Sequence, residues 1–314
     1  MRNELDTGML VVDKDDVKRY SLDDVLDKVI WGDALKVLKK LPDESVDLVF
    51  MDPPYFLQIG NKKLKRWNVK TDVEGVNDKW DQFSSFEEYD QFITSVLLEV
   101  RRIMKPTATI WVIGTYHNIF RIGKIMQDLG FWILNDVIWF KTNPMPNWLG
   151  VRFTNATETL IWAVRDKNYK KHGRYTFNKE WARHFNQMDW GNRLSYNVWR
   201  IPICSGRERL KDEHGKKLHS TQKPEELLKR IILISSKEGD VVLDPMAGTG
   251  TTGAVAKKLG RHFVMIEREE RYVKGMLRRL ESIKVEVPGP PTGEEINKKV
   301  TKAKKLDDFI SGVV

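Results

Sequence analysis

The stretch "DVVLDPMAGTGTTGAVAKKLGRHFVMIE", residues 240–267, constrains the fold more than any other part of the sequence. A short apolar run leads into a turn that contains Gly248, Gly250 and Gly253, and a helical pattern and a second apolar run ending at Glu267 follow. Two parallel strands need a long crossover connection, which is usually a helix. The stretch therefore predicts a strand, glycine turn, helix and strand inside an α/β sheet.

The spacing of these glycines, G-x-G-x-x-G, predicts a nucleoside-type cofactor, because glycine lets the backbone approach a ligand closely. Glu267 is placed to accept hydrogen bonds from ribose hydroxyls. NAD and S-adenosylmethionine (SAM) both fit this pattern. The pyrophosphate of NAD prefers a helix N-terminus without nearby carboxylates, but Asp244 precedes the glycines. Because SAM carries a sulfonium and an ammonium group, this carboxylate favours SAM.

The rest of the chain alternates between the periodicities of strands and helices. Residues 28–55 predict strand, helix and strand, and residues 84–106 predict a helix with Ser85 and Glu88 as a capping box and Pro106 as its stop. Strand and helix patterns continue over 107–140 and resume over 224–283. The expected fold is a doubly wound, mixed but mostly parallel sheet, with an inserted target-recognition region.

This pattern divides the chain into three parts: a charged N-terminal segment over 1–28, one domain over 29–287, and a linker with a basic tail over 288–314. A basic stretch over 60–80 is too long for a simple connection, which is typical of functional loops. The alternation lapses over 141–215, where a strand pattern, "TETLIWAVR", stands among polar and aromatic loops, and we interpret this segment as a recognition region rather than sheet core. Its candidate contacts to nucleic acid are Asn143, Asn147, Arg152, Lys170, Lys171, Arg174, Arg183, Asn186, Gln187 and Arg193.

The composition narrows the class of protein. Lys plus Arg number 53 against 44 Asp plus Glu, a net charge of +9 that is compatible with a polyanionic partner or with a basic solvated surface. The single cysteine, Cys204, excludes an intrachain disulfide and a cysteine-based zinc site. The histidines form no convincing metal set, so no metal is expected. We expect a cytoplasmic protein without membrane contact, because neither a signal peptide nor a membrane span is apparent.

A second motif, "FMDPPYF", ends the apolar run "VDLVF" at a stiff turn. Methylation of an exocyclic amine needs acceptors for the amino hydrogens, since the nitrogen lone pair is conjugated into the ring. Asp52 can supply one acceptor and a carbonyl of Pro53 or Pro54 the other, because proline fixes the backbone. Tyr55 can stack on a base that has left the duplex. A rigid turn with Tyr55 simply packed is the structural alternative.

The two motifs together resemble a known family. "DPPY", "HSTQKP" and "DPMAGTGTTGAVAKKLGRHFVMIERE" are similar to the β-class amino-methyltransferases of DNA. "DKWDQF", "IWVIGTYHNIFRIG", "QDLGFWILNDVIWFKTNPMPN" and "IPICSGRERLK" resemble, more closely, the cell-cycle-regulated adenine methyltransferases specific for GANTC, often called CcrM. The resemblance covers about residues 29–283. It implies methyl transfer from SAM to adenine N6 in double-stranded DNA, and it leaves a homodimer open.

The resemblance also implies roles for individual residues. Asp52, Pro53, Pro54 and Tyr55 match the catalytic motif, and Asp rather than Ser at its first position implies adenine rather than cytosine. The implied cofactor-binding residues are Asp33 for the adenine amine of SAM, Asp244, Gly248, Gly250 and Thr251 for its methionine side, Glu267 for its ribose, and His219, Thr221, Gln222 and Lys223 for enclosing it.

This sequence departs from the family at three points. Ser220 stands where the family usually has proline, Met246 or Ala247 where it has an aromatic residue, and few residues follow the last predicted helix where CcrM proteins carry a longer DNA-binding domain. Three alternatives therefore stay open. They are an RNA adenine methyltransferase, an NAD-dependent oxidoreductase and a nucleic-acid-binding module without catalysis.

Overall fold

A computed structural model describes residues 9–11, 18–57, 79–147, 150–186 and 195–295. Its strands are β1 Met9–Val11, β2 Lys28–Trp31, β3 Val46–Met51, β4 Met104–Gly114, β5 Trp132–Lys141, β6 Thr157–Val164, β7 Val198–Ile201, β8 Val241–Asp244 and β9 His262–Glu267. Its α-helices are α1 Leu22–Val25, α2 Ala34–Leu38, α3 Phe86–Ile103, α4 Ile119–Asp128, α5 Lys179–His184, α6 Glu225–Ser235, α7 Thr251–Lys258 and α8 Glu270–Glu281.

These strands form one sheet in the order β1-β2-β9-β8-β3-β4-β6-β5-β7. Every neighbouring pair is parallel except those that involve β6, which runs antiparallel to β4 and β5. One face packs against α2, α3 and α4, and the other against α5 to α8. The predicted doubly wound, mixed but mostly parallel sheet is confirmed.

One expectation about the sheet is wrong. The strand pattern "TETLIWAVR" is confirmed as β6, but the interpretation of 141–215 as a region outside the sheet core is wrong, because β6 lies inside the sheet and β7 forms its edge. Trp162 of β6 stacks on Trp111 of β4 with ring centroids 5.2 Å apart. The chain returns antiparallel between two strands that are consecutive in sequence, and a pattern read along the chain does not reveal this insertion.

Helix α3 also differs in detail from its predicted capping. Ser85 is the N-cap and its hydroxyl accepts from Glu88 N–H at 3.2 Å, but the Glu88 carboxylate accepts from Ser84 N–H at 2.7 Å rather than from Ser85. The helix ends at Ile103, and Pro106 lies inside β4. The pairing of β3 with β4 is interrupted at this place, so the missing N–H of proline breaks no regular ladder bond.

Most strands of the sheet end at the same edge. The carboxyl ends of β2, β3, β4, β5, β8 and β9 lie at one edge, together with the beginning of the antiparallel β6. Ligands of open α/β sheets bind at this edge. Residues 60–78 of the predicted basic loop, Gln187 and Arg193, and the basic tail lie outside the described residues. No helix in the described ranges is long and apolar enough to cross a membrane.

Candidate active site

The turn after β3 is held by one carboxylate that follows it in the chain. Asp81 Oδ1 accepts from the backbone N–H groups of Tyr55, at 2.5 Å, and Phe56, at 2.7 Å, and its Oδ2 accepts from Leu57 N–H at 2.9 Å. Phe56 adopts a left-handed conformation with φ of 51°, which is unfavourable for a residue with a side chain. Three charge-assisted hydrogen bonds fix this conformation. Asp81 is not among the residues that the sequence motifs predict for the site.

The two proline carbonyls in this turn have different surroundings. Pro54 O accepts from Tyr89 Oη at 2.8 Å and from Asn118 Nδ2 at 3.2 Å. In the described part of the chain, no group donates a hydrogen bond to Pro53 O. Of the two proline carbonyls that we expect to be candidate acceptors for the amine, the one on Pro53 is therefore the one left to accept.

Five side chains form a buried charged network, called here the β3 cluster: Asp52, Tyr55, Lys141, Glu158 and Lys223. Lys223 Nζ lies 2.6 Å from Asp52 Oδ2 and 4.0 Å from Glu158 Oε2, while Lys141 Nζ lies 2.8 Å from Glu158 Oε1. Tyr55 Oη lies 2.9 Å from Asp52 Oδ1 and 3.1 Å from Glu158 Oε2, within donating distance of both. Two ammonium groups thus balance two carboxylates.

Burial and pairing act in opposite directions in this cluster. Burial raises the pKa of Asp52, and the Lys223 ammonium opposes that rise. Burial acts to lower the pKa of Lys223, but the carboxylates of Asp52 and Glu158 outweigh it and raise that pKa. Burial, with the same two carboxylates, raises the pKa of Tyr55 well above its ordinary range. Lys223 is therefore an ammonium, and Tyr55 a neutral donor, at neutral pH.

The glycine-turn cluster, Asp244, Gly248 and Glu267, satisfies its carboxylates differently. Asp244 accepts from Met246 N–H at 3.1 Å and from Thr252 Oγ1 at 2.6 Å. Glu267 accepts from the backbone N–H groups of Gly248 and Glu269, both at 2.8 Å. Within the described ranges neither carboxylate forms an ion pair. Burial raises the pKa of Asp244 to about 7 and that of Glu267 to about 7.

Two glycines of the turn cannot be replaced without strain. Gly248 and Gly250 have φ of 53° and 70°, in the left-handed region. A Cβ on Gly250 would also lie 2.2 Å from Met276 Cγ. Gly250 is the N-cap of α7, so these conformations bring the first turn of that helix close to the edge of the sheet.

The segment before α6 covers the glycine turn. The ring of His219 lies between Trp80, with centroids 5.5 Å apart, and Tyr272, with centroids 4.6 Å apart. A Cβ on Gly248 would lie 3.4 Å from His219 Nε2. Burial, together with the nearby Lys223, lowers the pKa of His219 to about 3, so its ring is neutral. Trp80 and Tyr272 are absent from the predicted site residues.

Several predicted cofactor residues make hydrogen bonds that support the local structure. Thr221 N–H donates to His219 Nδ1 at 3.1 Å, and Gln222 bonds the backbone of Glu208 and Leu210. Thr251 Oγ1 lies 3.2 Å from the Lys223 carbonyl, and Asp33 accepts from Lys36 N–H as the N-cap of α2. The carbonyl of Lys223 lies beside Thr251 at the glycine turn, whereas its ammonium lies in the β3 cluster.

A single cavity is nevertheless lined by residues of both clusters. Its walls include every predicted site residue except Gly250: Asp33, Asp52, Pro53, Pro54, Tyr55, His219, Thr221, Gln222, Lys223, Asp244, Gly248, Thr251 and Glu267. Acceptors for an amine and carboxylates suited to a cationic cofactor therefore face the same space. The residues missed from sequence are Trp80, Asp81, Tyr89, Asn118, Lys141, Glu158 and Tyr272. Of these, Trp80, Asp81 and Tyr272 line this cavity.

Several known proteins are similar to this chain in sequence. The family model described as DNA methylase, N6_N4_Mtase, matches residues 46–278. The chain is 51% identical over 266 residues to the type II methyltransferase M.HinfI of Haemophilus influenzae, covering 85% of this chain and 71% of M.HinfI. It is 41% identical over 254 residues to the type II methyltransferase M2.DpnII of Streptococcus pneumoniae, covering 81% and 89%.

A solved structure supports the fold. The crystal structure of the M1.HpyAVI–SAM complex superposes with a TM-score of 0.55 at 24% identity, covering 80% of this chain and 98% of that one. The family match spans both the Asp-Pro-Pro-Tyr turn and the glycine turn. The chain therefore belongs to the N6_N4_Mtase family of DNA methylases, and it is a SAM-dependent, site-specific DNA methyltransferase.

Proposed function

We propose that the enzyme methylates the N6 amine of an adenine that has left the duplex, within the sequence GANTC. The observation that carries this proposal is the pair of acceptors in the turn after β3. Asp52 and the Pro53 carbonyl face the cavity that the glycine turn also lines. An aminopurine placed there would present its two amino hydrogens to two fixed acceptors.

The chain's contribution to the reaction follows from these acceptors. SAM supplies a methyl group on a sulfonium centre when it is bound. The N6 amine would gain positive charge as it accepts the methyl group, S-adenosylhomocysteine would be the leaving group, and the methylated amine would then release one proton to solvent. Acceptors that are already in place stabilise this charge without rearranging. The carboxylate oxygens of Asp52 and the carbonyl dipole of Pro53 both present negative charge to the amine, so both favour it as it becomes a cation.

The same geometry supports roles for the remaining site residues. Asp244 and Glu267 are buried carboxylates without a cationic partner in the described part of the chain, a setting that suits the ammonium and the ribose of SAM. Each carboxylate oxygen retains acceptor capacity beyond its present bond. Tyr55 is proposed to contact the flipped base, and the neutral His219 to cover the cofactor from above the glycine turn.

We propose adenine rather than cytosine as the target base because residue 52 is an aspartate. The family joins N6-adenine and N4-cytosine enzymes. Asp52 opens the motif Asp-Pro-Pro-Tyr here, and the resemblance to the CcrM proteins associates Asp at this place with adenine. The specificity for GANTC rests on that resemblance as well.

The target-recognition region over 141–215 is proposed to contact the duplex. Its first loop connects β5 with β6, so it leaves the same edge of the sheet as the catalytic turn. Arg152 of this loop donates to Tyr116 Oη at 3.0 Å, and Phe153 beside it is 98% exposed. A cation and an exposed ring on a loop that leaves this edge of the sheet suit a polyanion whose target base must be unstacked.

Methyl transfer from labelled SAM tests the proposal. Wild-type protein is incubated with a duplex that contains one GANTC, with a matched duplex in which it is changed to GATC, and with an RNA of the same sequence. The products are digested to nucleosides. We expect N6-methyladenine from the GANTC duplex alone. N4-methylcytosine, or equal labelling of RNA, would overturn the assignment.

A further inference from the structure

The β3 cluster places a cation on the carboxylate that the proposed reaction assigns to the target amine. Lys223 Nζ lies 2.6 Å from Asp52 Oδ2, and Tyr55 Oη lies 2.9 Å from Asp52 Oδ1. The Lys223 side chain is only 6% exposed. In this arrangement the ammonium occupies the acceptor that the proposed reaction assigns to the N6 amine.

An ammonium at that position opposes methyl transfer. The N6 nitrogen gains positive charge in the transition state, and like charges a few ångströms apart repel strongly in a buried site. The ammonium also withdraws the electron density with which Asp52 would polarise the amine. Transfer is therefore favoured when Lys223 moves away from Asp52 Oδ2, and a buried ammonium that does so needs another carboxylate.

Glu158 is the carboxylate within reach. Its Oε2 lies 4.0 Å from Lys223 Nζ, so a shift of about 1 Å gives a hydrogen bond. Glu158 is 8% exposed, and it is fixed from two sides, by Lys141 Nζ at 2.8 Å and by Tyr55 Oη at 3.1 Å. Because β6 runs antiparallel, Glu158 stands at the start of its strand, beside the end of β5 that carries Lys141.

We propose that Glu158 is a positioning residue that receives the Lys223 ammonium when the target amine takes its place on Asp52. This inference rests on the proposed function. The Lys223 ammonium moves from the Asp52 carboxylate to the Glu158 carboxylate, and the amine then donates to Asp52. The number of buried charges does not change, and each charged group keeps a hydrogen-bond partner. Lys141 remains on Glu158 Oε1, which leaves Oε2 for Lys223.

A pair of variants, Glu158→Gln alone and together with Lys223→Met, tests the exchange. In Glu158→Gln the anionic acceptor is lost, so Lys223 stays on Asp52 and competes with the amine. We expect single-turnover methyl transfer at saturating SAM to slow by up to about 10²-fold, as for a misplaced reacting group. Adding Lys223→Met to Glu158→Gln removes the competitor and restores charge balance. The double variant should therefore be at least about tenfold faster than Glu158→Gln alone.

A control variant and SAM-binding measurements distinguish the exchange from a general effect of charge or of folding. Glu44→Gln neutralises a carboxylate paired with Arg165, which follows β6 at its opposite end, and it should transfer at the wild-type rate. SAM dissociation constants should agree within about threefold among wild type, Glu158→Gln and Glu44→Gln, which reports intact folding, and the double variant is compared at saturating SAM. Glu158→Gln transferring at the wild-type rate, or a double variant no faster than Glu158→Gln, would overturn the exchange. A wild-type enzyme that methylates no adenine would instead overturn the proposed function.

Discussion

At the turn after β3, the carboxylates of Asp52 and Glu158 lie against the ammonium groups of Lys223 and Lys141, whereas those of Asp244 and Glu267 receive only N–H and O–H donors. Both sets are buried at the same edge of one sheet. Burial acts to raise the pKa of Asp52, Asp244 and Glu267. The difference between the two clusters is therefore the presence of cations supplied by the chain.

This difference matches what each cluster is proposed to bind. SAM brings a sulfonium and an ammonium, so a carboxylate beside the glycine turn gains its cation when the cofactor binds. The proposed adenine amine is neutral on arrival and brings no cation, and at Asp52 the Lys223 ammonium opposes the rise in pKa that burial causes. The enzyme thus supplies a cation only where its ligand does not.

The largest effect is expected at Asp52. Asp52→Ala removes one of the two amine acceptors, and loss of one preorganised electrostatic partner slows a reaction by about 10³-fold. SAM affinity should stay within about threefold, because the glycine-turn cluster is unchanged. Single-turnover transfer and equilibrium SAM binding check the two halves of this prediction. Asp128→Ala, on the exposed surface of α4 where Asp128 pairs with Lys124, is the matched control.

A smaller effect is expected at Asp81, which touches neither lysine. Asp81→Ala leaves three backbone N–H groups of the turn, those of Tyr55, Phe56 and Leu57, without their acceptor. The turn then loosens, and we expect transfer to slow by up to about 10²-fold, with SAM affinity unchanged. Asp81→Asn keeps one acceptor oxygen and should fall between Ala and wild type. Equal rates for Asn and Ala would show that the hydrogen bonds do not set the geometry.

At Asp244 the effects on stability and binding should have opposite signs. Its pKa is raised by burial from the ordinary 3.8 to about 7, so the folded state binds the extra proton between these values. Stability due to this group is therefore full below pH 3.8 and is lost as pH rises towards 7. Asp244→Asn cannot ionise.

We accordingly expect Asp244→Asn to melt a few degrees above wild type at pH 8, while its SAM affinity falls by about tenfold, the value of one hydrogen bond to a charged group. Melting curves of the unliganded proteins at pH 6 and pH 8 check the first half. The gap should narrow at pH 6. A variant that is less stable than wild type at pH 8 would contradict the assignment of an unpaired anion.

The smallest effect is expected far from both clusters. Glu44→Gln breaks an ion pair of 2.6 Å with Arg165, and the Glu44 side chain is 49% exposed. Exposed pairs of this kind contribute at most about 1 kcal/mol to the free energy of unfolding. Transfer and SAM binding should be unchanged. A large loss of activity would show that charge in general, rather than its place, controls the reaction.

The sequence predicts the molecule best where the signal is local. The glycine turn and the Asp-Pro-Pro-Tyr turn each follow an apolar run, so the pattern alone places both at the carboxyl ends of strands. The parallel sheet follows from the same alternation. These predictions need only short-range patterns and the rule that ligands bind at that edge.

The missed residues depend on long-range arrangement. Glu158 and Lys141 meet because β6 inserts between β4 and β5, and nothing in their local sequence marks that insertion. Asp81 lies 24 to 26 residues beyond the N–H groups it binds. The motif that contains Lys223 predicts a contact with the cofactor, but the fold brings its ammonium to Asp52.

The most direct test of the contrast between the clusters is calorimetry of SAM binding at pH 6.5 in buffers with different ionisation enthalpies. At this pH the ammonium of SAM is fully charged, since α-amino groups titrate near 8. Asp244 and Glu267, with pKa values of about 7, are mainly protonated. We predict net release of up to about one proton per SAM, reduced in Asp244→Asn and unchanged in Asp52→Ala. Binding without proton release in the wild-type enzyme would contradict the account.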